Sequence, residues 1–461
     1  MNSSWRRLLR ELPEEIDLIS SLGSQAIPTI SFADTAKSHQ AESFLEQLRK
    51  RGVGIIRNVV PRDTALVWSR ETDAYSKQNP QAESAPHKQP QDVYWSPAQV
   101  KARAHPNILA AQRFVMSLWK STDPSARVTT NFPISYADRA NLRQGAGIKG
   151  RPYAHVDGGS VERWEPDGYG RAGTYKDIFQ GRWENYNPWE VCIRLSTPIT
   201  DSAHTANPAP QSSTRLGVTS DLYHKASACS IFRMFQGWLA LNPIPSGLGS
   251  VQVCPLPRLA TAYFLLRPFF SPSPSPSAST TTTAHPEPDE ANWFFNHTQN
   301  SILHGALPSY AQELNPTLHP HLQLERSLVP VPRLEPGDYL VWHPDLVHSI
   351  TAPPATTVAA TTLSALYLPA CPLTQTNALY LARQRKTFLL GRPGPDFGGG
   401  RGESEHAGRP GVQEVNDAGG DDGLRAMGLL PWDEEESDED REREVLAMAN
   451  GILFPDLYDM L

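Results

Sequence analysis

From Val128 onward the chain is written in short apolar and aromatic runs that Gly, Pro, Asn and Asp keep interrupting, and this limits the folds open to it. Trp189–Leu195, Ala228–Leu241, Ser250–Pro255, Tyr339–Trp342 and Thr361–Leu368 are such runs. Many short strands separated by turn signals predict a sandwich or a barrel. Helical spacing is confined to a few segments. Gln40–Lys50 places Phe44, Leu45 and Leu48 on one face, and Ala65–Lys77 follows a capping Asp63. Pro106–Lys120 and Asn377–Leu390 also read as helices, and Gly52–Pro61 reads as a β-branched strand closed by Pro.

At roughly 150 residues per domain, 461 residues suggest two to three domains, but β-sandwiches and barrels often exceed that length as one unit. The strand-like sequence continues on both sides of the low-complexity stretch 271–290, which therefore reads as an insertion. We expect an N-terminal segment (1–39), one β domain (40–397) and a mobile acidic C-terminal tail (398–461). The tail explains the charge. Asp433–Glu444 holds nine acids and two arginines, equal to the whole net charge of -7, so the remainder is close to neutral. No basic stripe is present, which argues against nucleic-acid partners. No run reaches the length of a membrane span, and no secretory h-region opens the chain. Cys192, Cys229, Cys254 and Cys371 lack CxxC spacing and read as reduced thiols, so a cytoplasmic location is expected.

The residues that point to chemistry are His155-Val-Asp157 and, far downstream, His348. Side chains at i and i+2 of a strand point the same way, so His155 and Asp157 face a common point at a strand end. A third ligand from another strand completes two histidines and one carboxylate, the facial triad of non-haem Fe(II) sites. The triplet itself is not specific: with 14 histidines, about one such match arises by chance. A second one, His343-Pro-Asp345, is followed only by His348 and His406, too little chain to complete a site. Gly158-Gly159-Ser160 after Asp157 allows close backbone approach, which favours the first triplet over a plain surface turn. His348 is the preferred third ligand. His343, five residues earlier, points the other way in an extended strand and is left as a packed or supporting histidine.

The run His155–Trp164 resembles the signature of the YbiU-like family of bacterial and fungal proteins, a family of unknown function. Tyr136–Arg139, Phe232–Leu241, Ala262–Phe270, Gly337–His348 and Tyr367–Leu373 carry the same resemblance over about residues 40 to 397. That family is similar to the 2-oxoglutarate and Fe(II)-dependent dioxygenases, including the phytanoyl-CoA hydroxylase type. The resemblance implies a mainly β fold with flanking α-helices, a double-stranded β-helix (cupin-like jelly roll). It also implies Fe(II), 2-oxoglutarate and hydroxylation of a small organic substrate.

One departure stands out. Those dioxygenases place a basic residue shortly after the distal histidine, and Ser349–Leu368 contains none. Arg194, Arg233 and Thr362 are the candidates to bind the cosubstrate instead, while Arg163 and Trp164 are candidates to touch substrate. Two rival readings stay open: zinc-type chemistry on the same ligands, and a non-catalytic binding or scaffold protein. Nothing in the sequence sets an oligomeric state.

Overall fold

The computed structural model describes residues 1–80, 92–141, 153–194, 212–224, 228–247, 251–273, 292–298, 300–350, 365–398 and 400–458. Two five-stranded sheets form its centre. The first runs in the order Thr29–Ser31, Val53–Arg57, Tyr339–Trp342, Gln236–Ala240, Ala365–Tyr367, antiparallel except for its first pair. The second runs Gln312–Leu314, Ala154–Val156, His348–Ile350, Val251–Val253, Val329–Pro330, antiparallel throughout.

Alternation along the strands sorts the side chains into layers. Val53, Ile55, Trp238, Leu340 and Trp342 of the first sheet pack in one cluster with Val251, Val253 and Val329 of the second. Their strand neighbours Ile56, Leu239, Tyr339 and Val341 face the other way. They pack on Phe44 and Leu48 of helix Ser38–Arg51, Trp68 of Arg62–Gln78, and Ile108 and Val115 of Pro106–Met116. On the far side, Ala154, Val156 and Leu314 pack on Trp5, Leu8 and Leu12 of helix Asn2–Leu22 and on Tyr263 and Phe264 of Pro257–Leu266. The order of layers is helix, sheet, sheet, helix.

The expected mainly β jelly roll is corrected by this arrangement. Helix accounts for 45% of the structure and strand for 17%, the sheets are small, and no barrel closes. The reason is double burial. A sheet with apolar residues on both faces needs a helical cover on its outer side. Helix Pro257–Leu266 supplies part of that cover, and the run Ala228–Leu241, read as strand, yields strand only at Gln236–Ala240.

The C-terminal stretch is also corrected. It forms packed helices, not a mobile tail. Val415 of helix Val412–Ala426 clusters with Trp95, Val100 and Ala104. Val445, Leu446, Ala449 and Leu453 of helix Asp440–Leu453 pack on Ile134, Leu373 and Leu381. Even its acids are engaged: Glu442 accepts hydrogen bonds from Asn131 and Ser437 side chains. The four cysteines are all free. Among the described residues, no helix is long and apolar enough to cross a membrane.

His319 and His321 are buried beneath the N-terminal helix, among Trp5, Tyr263, Trp293 and Arg267. Burial first, and the Arg267 charge second, hold both imidazoles down from 6.5 to about 3. Unfolding between those values therefore takes up protons. The stability they contribute is complete above pH 6.5 and is lost as pH falls toward 3. Each such proton adds about 1.4 kcal/mol per pH unit to the slope. His319→Gln is expected to remove one of them, giving a shallower pH dependence in urea melts between pH 4 and 6.5. Superimposable slopes for the two proteins would mean that His319 is not held neutral.

Candidate metal centre

His155 and His348 are direct cross-strand partners in the second sheet. Strand Ala154–Val156 delivers His155, and Asp157 follows at its exit, so the i, i+2 geometry holds. Strand His348–Ile350 opens on the third residue. Ligand atoms of His155, Asp157 and His348 all lie within 4.8 Å of one another. His348 Nε2 is 3.2 Å from Asp157 Oδ2, His155 Nε2 is 4.0 Å from Oδ1, and the imidazole centroids are 4.3 Å apart. Both histidines are buried and Asp157 is partly open. His348 Nδ1 is 2.9 Å from the Leu346 carbonyl, which leaves Nε2 to face the cluster. Two imidazoles and a carboxylate on one side of an open space suit a divalent transition metal.

The neighbouring glycines serve this geometry. Gly158 and Gly159 both take positive φ, 76° and 110°, where side chains are strained. A Cβ on Gly159 would also sit 3.3 Å from the Ser220 carbonyl. The chain can therefore turn sharply after Asp157. The Gly337-Asp338 pair of the downstream motif has a structural task. A Cβ on Gly337 would lie 1.9 Å from the Val60 carbonyl, so only glycine fits. Asp338 accepts from the Asn58 and Glu335 main-chain N–H groups and pairs with Arg57.

His343 is not part of the cluster. It stacks on Trp119 at 5.1 Å, its Nε2 is 3.0 Å from the Pro188 carbonyl, and burial lowers it to about 4. Asp345 of the same triplet is a buried anion. Although burial alone would raise it, Arg215 at 2.9 Å, His343 and Arg163 hold it well below the usual carboxylate range.

A cavity of about 370 Å³ opens on the metal cluster. His155, Asp157, His348, Arg233, Gln236 and Asp138 are among its walls, with Trp238, Trp342, Tyr136 and Tyr367 giving aromatic surface. Arg233 is buried, its Nε has no partner, and its guanidinium makes no hydrogen bond or ion pair among the described residues. It lies beside the Asp157 turn, since a Cβ on Gly158 would be 3.9 Å from its Nη2. Although burial alone would lower it, Cys229, Tyr367, Asp157 and Tyr136 keep Arg233 above its ordinary value, so it stays a cation. Asp138 on the same wall is pushed up to about 6, chiefly by burial.

The other expected contacts fall elsewhere. Arg163 is fully buried and turns away from the cavity, donating to the main-chain carbonyls of Asp157 (2.7 Å) and Gly159 (2.5 Å). The Trp164 indole donates to the Leu265 carbonyl at 3.1 Å and packs, partly buried, against an apolar cluster, and neither residue is among the cavity walls. Arg194 ends strand Glu190–Arg194, and its side chain lies outside the described structure, as does Thr362. Sequence reasoning missed Gln236. Its Nε2 donates to Asp157 Oδ2 at 2.9 Å and its Oε1 accepts from the Tyr367 hydroxyl at 3.2 Å. A signal existed: Gln236 is the lone polar residue of the run Met234–Leu241.

The chain belongs to the Gig2-like family, whose sequence pattern matches residues 1–429. The Escherichia coli (strain K12) protein named Uncharacterized protein YbiU is 28% identical over 430 residues, 90% of this chain and 88% of that protein. The family resemblance read from the motifs is thus borne out, and it extends on both sides of residues 40–397. Among solved structures, GlcNAc Inducible Gene 2 from Candida albicans is similar with a TM-score of 0.78 and 26% identity, over 99% of this chain and 91% of that one. The structure named "Putative Oxidoreductase" from Salmonella typhimurium LT2 is similar with a TM-score of 0.69 and 25% identity, over 92% of each chain.

Gln236→Ala releases the oxygen of Asp157 that the amide now holds. Loss of such a supporting partner weakens metal sites by about ten- to a hundredfold. We expect that loss in a Mn(II) titration followed by the free-ion EPR signal, with far-UV circular dichroism unchanged. Equal affinities would show that Asp157 needs no help from Gln236.

Proposed function

We propose that the cavity is the active site of a metal-dependent oxidoreductase, with Fe(II) held by His155, Asp157 and His348. The observation that carries this reading is the convergence of those three residues beside an open, aromatic-walled cavity. The name of the Salmonella relative is in keeping with it. His155, Asp157 and His348 would hold Fe(II), which would supply oxygen activation there with 2-oxoglutarate as electron source. The product would be a hydroxylated small organic molecule.

The chain's own residues have separate tasks in this reading. Arg233, a buried cation with no hydrogen bond or ion pair among the described residues, would hold the distal carboxylate of 2-oxoglutarate, which a guanidinium suits. This answers the lack of a basic residue after His348. Gln236, steadied by Tyr367, fixes which oxygen of Asp157 faces the metal. Trp238 and Trp342, edge to face at 5.9 Å, keep that wall of the cavity apolar and dry.

The test is an anaerobic titration with Fe(II) and 2-oxoglutarate followed by visible absorption. The wild type is expected to develop a charge-transfer band that His155→Ala and His348→Ala both lose. Arg233→Met should still bind iron but take 2-oxoglutarate about ten- to a hundredfold more weakly, the worth of one charge-assisted contact. Iron binding without a band in any variant would remove 2-oxoglutarate from the scheme. A marked preference for zinc would favour Lewis-acid chemistry on the same donor set.

A further inference from the structure

The ligand-bearing segments share very little ladder. Only the pair His155 and His348 is in register between their strands. Asp157 lies past the strand end and is followed by two glycines with no side chains to anchor the turn. Gln236 holds one carboxylate oxygen of Asp157 and the Tyr169 hydroxyl donates to the Gly158 carbonyl, but among the described residues neither joins this turn to the turn before His348.

Arg163 is the group in position to do so. One nitrogen donates to the Asp157 carbonyl at 2.7 Å, and the other to the Gly159 carbonyl at 2.5 Å and Gln312 Oε1 at 3.3 Å. The same guanidinium is 3.7 Å from Asp345, three residues before His348. Asp345 is held in turn by Arg215 at 2.9 Å and by the Tyr175 hydroxyl at 3.1 Å. The Asp157 turn and the His348 turn are therefore joined by a single buried side chain.

We infer that Arg163, oriented by Asp345, is the positioning residue that sets the separation of Asp157 from His348 at the metal centre. This rests on the metal-binding reading of those residues. A positive charge alone would neutralise Asp345. Gripping two carbonyls of one turn while facing that carboxylate needs the planar fork of a guanidinium, which an ammonium lacks. Metal sites lose affinity when ligands shift by about an ångström, so a loosened turn is felt in binding before it is felt in the fold.

The substitution that separates these roles is Arg163→Lys, which keeps the charge and removes the fork. Arg215→Lys is its matched control: it keeps a cation on the same buried carboxylate, and among the described residues Arg215 makes no contact with the Asp157 turn. The probe is Co(II), read by titration and by its visible ligand-field spectrum, with thermal melts alongside. We expect Arg163→Lys to bind Co(II) at least about tenfold more weakly and with a changed spectrum. Arg215→Lys should keep the wild-type spectrum and affinity. Wild-type affinity and spectrum in Arg163→Lys overturn the inference, and so does an equal loss in both variants, which would mark general loosening. Should Arg163→Lys not accumulate as folded protein, Asp345→Glu, which displaces the carboxylate by one methylene, is expected to change the spectrum in its place, and an unchanged spectrum overturns the inference. A wild type that takes up no Co(II) overturns the metal reading itself, an outcome distinct from the others.

Discussion

Both central sheets are buried on both faces, and most of the architecture follows from that. Strands such as Val53–Arg57 and Tyr339–Trp342 have no solvent side; each residue enters one apolar cluster or its opposite. A two-sheet sandwich with polar outer faces could have stood with few helices. Here apolar residues such as Ile56, Leu239, Tyr339 and Val341 on the first sheet and Ala154, Val156 and Leu314 on the second face outward and must be covered, so the chain spends its length on helices. Charges buried behind the His155, Asp157 and His348 cluster must be matched by charges.

Asp345 shows how that matching is done. A lone buried carboxylate would take up a proton. With Arg163 and Arg215 on either side it stays ionised, and the two guanidiniums are held where their other donors are needed. Such a cluster brings little net stability compared with apolar replacements. Its value lies in orientation: one arm fixes the turn after Asp157, and the other leans on the Tyr186 hydroxyl and the ring of Tyr175.

The convergence of His155, Asp157 and His348 was legible because it rests on strand periodicity, and the i, i+2 spacing survives whatever surrounds the strand. Choosing His348 over His343 was legible for the same reason. Arg163 was misread because closeness in sequence says nothing of direction: after the Gly158-Gly159 turn the chain enters a tight helical turn at Val161–Arg163, and the side chain folds back under the loop. Arg233 was picked out as a charged residue in an apolar run, and Gln236 was visible in principle on the same ground, since burial of such groups demands a purpose. The helical balance was not legible. A buried helix and a buried strand look alike when apolar residues occupy both faces, and the run before Phe270 was ambiguous in that way.

The composition of the last sixty residues suggested solvent, yet they pack as helices, and the stretch just before them shapes the cavity from behind. Asp396 accepts from the Tyr136 hydroxyl and from Ser230, holding two stretches of wall on one carboxylate. Gln384 bonds the main chain at Ser135 and Ala137, and Asn377 bonds both main-chain groups of Phe232, next to Arg233. Farther along, Glu403 accepts from the Tyr94 and Trp95 N–H groups, and the Tyr94 carbonyl in turn takes a bond from Arg103, which also grips Tyr136 and Asp138. Net charge describes a segment's average affinity for water. It does not describe where individual carboxylates go: Glu403 is spent on two backbone N–H groups, and Glu442 on the side chains of Asn131 and Ser437. An acidic segment with regularly spaced apolar residues, such as Val445, Leu446, Ala449 and Leu453, is better read by the spacing than by the charge.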